Sequence, residues 1–236
     1  MKKLFIDAGT TWSKIIEISD EPQKELKNYL VKKSENKFYY IVPSGKIKQM
    51  NLNFQAITGH MSLFAKEKGI PYENEVIALS KGLLKTVAIN EPSFLAVDLG
   101  SRDIKWVRFQ DGKFKDLDWN TSCAGATGAT VEMLLKFYDV TPDELDYNKE
   151  KYNITCGIYG LEKIMDDIAN GEKAKFAIAK FVHGIAFNAW TFAKKPEKLF
   201  LSGGFCDNDC FVKSLQQYCE IVKLGRFTLC EGINQN

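Results

Sequence analysis

Two short stretches of the chain share a pattern suited to holding phosphate. Leu4-Phe5-Ile6-Asp7-Ala8-Gly9-Thr10-Thr11-Trp12-Ser13-Lys14 and Leu95-Ala96-Val97-Asp98-Leu99-Gly100-Ser101-Arg102-Asp103-Ile104-Lys105 both read apolar run, Asp, any residue, Gly, hydroxyl residue, three residues, Lys. A glycine at a turn tip lets backbone N–H groups approach an anion, and the neighbouring hydroxyl adds a donor. An aspartate at the end of the preceding strand can hold a hydrated Mg2+ or orient a water. One such turn is an ordinary hairpin; two in equivalent settings point to a duplicated site.

The elements that must position these turns follow from patterning. Each motif is followed by a second apolar stretch, 15–18 and 106–109, and the latter meets the turn pair Asp111-Gly112, so a hairpin is predicted twice. Strands are predicted over 38–42 and over 54–58, the second ending in Gly59, and helices over about 74–85, 130–138 and 174–193. Thr141-Pro142-Asp143-Glu144 reads as a further helix start. Leu199-Phe200-Leu201-Ser202 is an apolar strand running into Gly203-Gly204, where backbone can come close to a ligand. The mixed order of strands and helices indicates an α/β protein.

Composition narrows the partners. A chain of 236 residues, 45% hydrophobic, is large enough for a real core, as one domain or two small lobes. A formal charge of +2 from balanced acids and bases, without a long Lys/Arg block, argues against nucleic acid and against an anionic membrane surface. The apolar stretch 174–193 is interrupted by Lys180, His183 and Asn188 and reads as a buried helix, not a membrane span. A strand-like run begins within a few residues of Met1, leaving no room for a leader, so the expected location is the cytoplasm. Six cysteines in that setting read as reduced thiols. His183 reads as a satisfied core histidine.

Asp7-x-Gly9-Thr10, Asp98-x-Gly100-Ser101 and Gly203-Gly204 together resemble the two phosphate loops and the adenosine-side glycines of the acetate kinase, sugar kinase, Hsp70 and actin superfamily. That resemblance implies an actin-like (ribonuclease H-like) duplicated fold, with lobes at 1–90 and 91–236 and mixed sheets around a nucleotide cleft. It implies ATP or ADP with Mg2+, with Asp7 and Asp98 placing the metal and the attacking water. Gly9, Thr10, Thr11, Lys14, Gly100, Ser101 and Arg102 would then contact phosphates, and Gly203 and Gly204 the adenosine side.

Cys123-Ala124-Gly125-Ala126-Thr127-Gly128 and Thr155-Cys156 carry a narrower resemblance, to the ATP-dependent activators of 2-hydroxyacyl-CoA dehydratases and the related benzoyl-CoA reductase ATPase subunits. In that family each subunit gives two thiolates to one [4Fe–4S] cluster shared across a homodimer, which implies Cys123 and Cys156 as ligands. The implied activity is ATP hydrolysis driving a low-potential electron into an iron–sulfur acyl-CoA dehydratase or reductase, with a ferredoxin or flavodoxin as donor. The second turn departs from the family's Asp-x-Gly-Gly-Gln-Asp: Arg102 stands where a Gln could orient water, and a cation there can clamp phosphate. Two other readings fit the same loops: a small-molecule kinase of the superfamily, using Asp98 or Asp103 to activate a hydroxyl, and a nucleotide- or cluster-binding module that regulates or scaffolds a partner. Cys206, Cys210, Cys219 and Cys230 read as packing residues.

Overall fold

The first repeat forms a strand pair: β1 (Lys3–Ala8) runs antiparallel to β2 (Trp12–Ile18), with Asp7 opposite Lys14. The structure, a computed structural model, describes residues 2–120 and 127–234. Contacts divide the chain into two units, one of residues up to Pro92 together with those from Arg226 onward, the other Ser93–Gly225.

In the first unit the described strands also include β3 (Leu30–Ser34), β4 (Lys37–Pro43) and β5 (Ala56–Gly59), in the sheet order β3-β4-β2-β1-β5. β5 lies parallel to β1 and the remaining neighbours are antiparallel. Leu4, Ile6 and Ala8 point into one apolar cluster with Ile15, Tyr40 and Ile57. The opposite face is covered too, which is why β1 reads as a continuous apolar run instead of alternating.

The cover comes from the far end of the sequence. α1 (Ser44–Ile47) and α2 (Ser62–Lys68) are short, and α3 (Glu75–Thr86) is crossed by the C-terminal helix Thr228–Ile233, which also touches β1, β2 and β5. The crossing is so close that a Cβ on Gly82 would lie 2.1 Å from the Thr228 carbonyl oxygen, and one on Gly232 only 1.8 Å from that of Ala78. The predicted lobe boundary carries the second unit through to 236; here residues from Arg226 onward pack with the first unit because two glycines let their helix lie against α3.

The second unit holds β6 (Phe94–Leu99), β7 (Ile104–Gln110), β8 (Lys113–Asn120), β9 (Lys198–Ser202) and β10 (Glu220–Gly225), in the order β10-β9-β6-β7-β8. β6, β7 and β8 are antiparallel neighbours, while β9 is parallel to β6 and to β10. Its helices are α4 (Gly128–Phe137), α5 (Gly157–Ala169), α6 (Ala174–Phe192) and α7 (Asp209–Leu215); the C-terminal helix is therefore α8. α6 buries Ala177, Ile178, Phe181, Val182 and Ile185 against Leu95, Val97 and Leu99 of β6. Each of these side chains larger than alanine contributes roughly 1.5–3 kcal/mol on burial.

The triplet β2-β1-β5 has the same order and directions as β7-β6-β9, so the duplication expected from two short motifs extends to a third strand in each unit. The predicted helix at Thr141 is a single 3-10 turn, Pro142–Glu144. Its capping box is present, but the polar run Asp146-Tyr147-Asn148-Lys149-Glu150 that follows has no apolar stripe to extend a helix. Among the described residues no helix is long and apolar enough to cross a membrane.

Candidate functional site

Each turn sits at the carboxyl end of its unit's central strand, where the strand direction delivers an aspartate. Asp7, next to last in β1, is buried, and its carboxylate receives a 3.0 Å bond from Lys14 Nζ across the strand pair. Gly9, Thr10 and Thr11 link β1 to β2, with Thr10 exposed and Gly9 and Thr11 half-buried. The turn is braced from below: Ser44 Oγ donates to the Gly9 carbonyl at 2.7 Å, and the Ser44 amide donates to the Thr11 carbonyl at 2.9 Å. α8 adds a third brace through Cys230, whose sulfur accepts the Asp7 amide at 3.2 Å and donates to the Lys14 carbonyl at 3.1 Å.

Asp98 occupies the equivalent place in β6. Ser202 Oγ donates to one of its oxygens at 2.7 Å, and Lys105 Nζ lies 3.7 Å from the other. Lys105 is 2% exposed and also pairs with Asp103 at 3.2 Å. The second oxygen of Asp103 accepts from Trp119 Nε1 at 2.8 Å. A buried ammonium needs this much carboxylate around it, because the desolvation of an isolated charge is prohibitive. Gly100, Ser101 and Arg102 form the tip, with Arg102 exposed and Ser101 half-buried.

The two arrangements correspond residue for residue. Asp7 stands opposite Lys14 on one side and Thr58 on the other; Asp98 stands opposite Lys105 and Ser202. The residue after each hydroxyl is a glycine at positive φ, Gly59 at 87° and Gly203 at 95°. A Cβ there would lie 2.5 Å from the Ala8 carbonyl oxygen in one unit and 2.4 Å from that of Leu99 in the other. Both glycines are therefore packing requirements of the turn, conformations that a side chain would strain. Gly204 differs: nothing lies within 4 Å of where its Cβ would be.

Several participants escaped the sequence reading. Lys105, Ser202 and Thr58 carried no role there, although Lys105 repeats Lys14 and the apolar-hydroxyl-Gly run 57–59 is echoed at 201–203. Cys230 gave no local signal at all.

Of the candidate thiols, Cys123 lies outside the described residues. Cys156 is half-buried and is the residue immediately before α5, ahead of the helix's first N–H groups. It lines a cavity of about 140 Å3 together with Leu99, Asn120, Thr127, Thr155 and Asn188. The other described cysteines are sealed in. Burial pushes the thiols of Cys206 and Cys210 up to about 12, that of Cys219 to about 11, and that of Cys230 well above the ordinary thiol value. His183 is satisfied as expected: Nδ1 lies 2.8 Å from the Asn148 carbonyl and Nε2 2.7 Å from Tyr218 Oη. Among the described residues no group of three or more His, Cys, Asp or Glu side chains could hold a metal ion.

A duplicated core of this topology, with an Asp-x-Gly turn in each copy, is an actin-like fold. Two solved structures share it over nearly the whole chain. One is the activator of the 2-hydroxyisocaproyl-CoA dehydratase from Clostridium difficile with bound ADPNP, at TM-score 0.73 and 17% identity, covering 98% of this chain and 92% of that one. The other is component A of the Acidaminococcus fermentans (R)-2-hydroxyglutaryl-CoA dehydratase, at TM-score 0.73 and 16% identity, covering 98% and 95%. At these identities the likeness establishes the fold. In sequence, the chain is 25% identical over 130 residues to an activator of lactoyl-CoA dehydratase from Anaerotignum propionicum, half of each protein. It is 26% identical over 121 residues to an uncharacterized protein of Methanocaldococcus jannaschii, 48% of this chain and 29% of that one. The matches thus span half or less of the length of these curated relatives. No family model matches. The resemblance to dehydratase activators, first carried by short motifs, therefore extends to half the chain in sequence and to nearly all of it in fold.

Proposed function

We propose that this protein is an ATP-driven activator of an acyl-CoA dehydratase or reductase. The observation that carries the reading is the residue-for-residue duplication of the Asp, Lys, hydroxyl and Gly arrangement, in a chain similar in sequence to a lactoyl-CoA dehydratase activator. ATP is the substrate. Each turn offers phosphate contacts of its own, Gly9, Thr10 and Thr11 in the first unit and Gly100, Ser101 and Arg102 in the second, through backbone N–H groups, hydroxyls and the guanidinium. Asp7, held by Lys14, and Asp98, held by Ser202 with Lys105, are the carboxylates that would hold Mg2+ and orient the attacking water. Water oxygen bonds to the γ-phosphorus as the bond to the bridging oxygen of the β-phosphate breaks, leaving ADP and phosphate and releasing a proton to phosphate or solvent. Gly204, with open space beside it, takes the adenosine side; Gly203 holds the strand end against Leu99.

We infer a cluster shared between two chains, a reading that Cys156 supports. Cys156 is a half-buried thiol at a helix start, whereas the four sealed thiols are held protonated by burial. Cys156 and Cys123 would be this chain's two ligands in a homodimer, matching a four-thiolate demand on a two-fold axis. When bound, a [4Fe–4S] cluster supplies a one-electron carrier of low potential, received from a ferredoxin- or flavodoxin-type donor. The iron–sulfur dehydratase or reductase is the expected electron acceptor, and the cytoplasm the expected compartment.

Anaerobic purification with iron and sulfide measured per dimer tests this reading, with ATP turnover followed in parallel. The expected result is four irons per dimer in the wild type, lost in Cys123→Ser and in Cys156→Ser, with ATP binding kept in both. A wild type that binds nucleotide but takes up no iron under anaerobic reconstitution overturns the activator reading. Phosphoryl transfer to a small alcohol in place of hydrolysis overturns it in favour of a kinase.

A further inference from the structure

Thr127 immediately precedes α4, where a threonine hydroxyl normally accepts an N–H from the first turn of its own helix. It makes no such cap. Its Oγ1 instead donates to the Ser101 carbonyl at 2.6 Å, although the residue is 4% exposed and a local cap would satisfy it. The first N–H groups of α4 turn the same way: the Gly128 amide donates to the Gly100 carbonyl at 3.3 Å and the Ala129 amide to the Ser101 carbonyl at 2.9 Å. The start of α4 is thus capped by the carbonyls of the second phosphate turn, not by its own side chain.

The covalent geometry gives this arrangement a consequence. The Gly100 carbonyl belongs to the same planar peptide unit as the Ser101 N–H, and the Ser101 carbonyl to the same unit as the Arg102 N–H. In a trans peptide these groups point to opposite sides. A phosphate drawn to the N–H side of either unit polarises and orients the carbonyl that holds α4 on the other side, since hydrogen bonds in a chain strengthen one another. Thr127 also lines the cavity shared with Cys156, so the same residue borders both the turn and the thiol's surroundings.

We propose that Thr127 is a positioning residue through which phosphate at the Gly100-Ser101-Arg102 turn is read by the start of α4. The inference rests on the nucleotide reading above and adds the route by which occupancy of the turn reaches the helix. Bound nucleotide tightens the bonds of the Gly128 and Ala129 amides; the Thr127 hydroxyl shares the Ser101 carbonyl with the Ala129 amide and fixes its direction, so removing it loosens that alignment and the response is lost while the phosphate contacts stay intact.

Hydrogen–deuterium exchange of the full chain, with and without Mg2+-ADP or a non-hydrolysable ATP analogue, measures this directly in peptides covering the first turn of α4. In the wild type, nucleotide is expected to slow exchange there roughly fivefold, the change produced by about one hydrogen bond of added stabilisation. Thr127→Val keeps the β-branched shape and is expected to bind nucleotide within about threefold of wild type but to lose that slowing, which Thr127→Ser restores. A wild type that binds nucleotide without any change at α4 overturns the inference and leaves the proposed function standing, as does a Thr127→Val protein that responds like wild type. A wild type that binds no nucleotide removes both.

Discussion

Gly203 and Gly204 are neighbours with opposite roles, and alanine at each separates them. Gly203 has φ 95° and ψ −172°, a region accessible essentially to glycine alone, where a side chain costs about 1–3 kcal/mol. Its new Cβ would also lie 2.4 Å from the Leu99 carbonyl oxygen and 2.9 Å from the carbonyl carbon, backbone atoms that no rotamer change can move aside. Overpacking of that kind adds about 1–3 kcal/mol, so Gly203→Ala is expected to lose roughly 2–6 kcal/mol in all. Set against a total stability on the order of 5–15 kcal/mol, this is a large fraction. Gly204→Ala meets no atom within 4 Å and is expected to stay within about 0.5 kcal/mol of wild type. If the adenosine side of the nucleotide lies over Gly204, however, the added methyl occupies its space and weakens ADP roughly tenfold, about 1.4 kcal/mol. Urea unfolding followed by circular dichroism, with calorimetric titration of Mg2+-ADP, reads both effects. A Gly203→Ala protein as stable as wild type refutes the packing argument; a Gly204→Ala protein with wild-type ADP affinity refutes the placement of adenosine.

Gly232→Ala puts a methyl 1.8 Å from the Ala78 carbonyl oxygen and must push α8 off α3, so unfolding midpoints should fall by an amount worth about 2 kcal/mol or more, despite alanine's better helix propensity. Gly45→Ala, where a Cβ meets nothing within 4 Å, is the control and should not fall. Burial holds the pKa of His183 below its ordinary value, against the opposing pull of the Glu150 and Asn148 carbonyls. The folded protein therefore keeps it neutral where the unfolded chain has already taken up a proton. Its contribution to stability is complete above about pH 6.5 and is lost as pH falls through that value toward the lower folded one. Stability measured between pH 7 and 5 should fall with a slope that His183→Gln reduces; an unchanged slope in the variant refutes the assignment.

The parts of the fold visible in sequence were those encoded by neighbours. Asp7-x-Gly9 and Asp98-x-Gly100 are legible because a strand end, a turn glycine and a cross-strand lysine all lie within a dozen residues. The helix of 174–192 is legible because its apolar residues surround it and it is buried accordingly. What completes each site comes from far along the chain. Ser202 meets Asp98 from 104 residues away, and Cys230 binds the backbone of Asp7 and Lys14 from 223 and 216 residues away. No periodicity of 2 or 3.6 encodes such pairings. α8 was missed for a related reason: six residues carry too little pattern, and its place depends on a glycine of α3 that accepts its backbone. Thr127 belongs to a legible motif, but the destination of its hydroxyl follows only from where Ser101 lies.

The differences between the two copies are as informative as their likeness. In the first, one carboxylate meets one ammonium, Asp7 with Lys14, and the backbone of both is pinned by the neutral thiol of Cys230. In the second, two carboxylates, Asp98 and Asp103, share the single ammonium of Lys105, all three nearly inaccessible to water. Two carboxylates thus lie close together beside a turn proposed to receive phosphate, where like charges at close range in a poorly solvated setting repel strongly. The residue just before Asp103 is Arg102, an exposed cation at the tip of that same turn. Extra acid and extra base entered the second copy together, and neither is present in the first. Under the proposed function Arg102 therefore adds to this turn a cation that a glutamine would not supply, which favours an anion there.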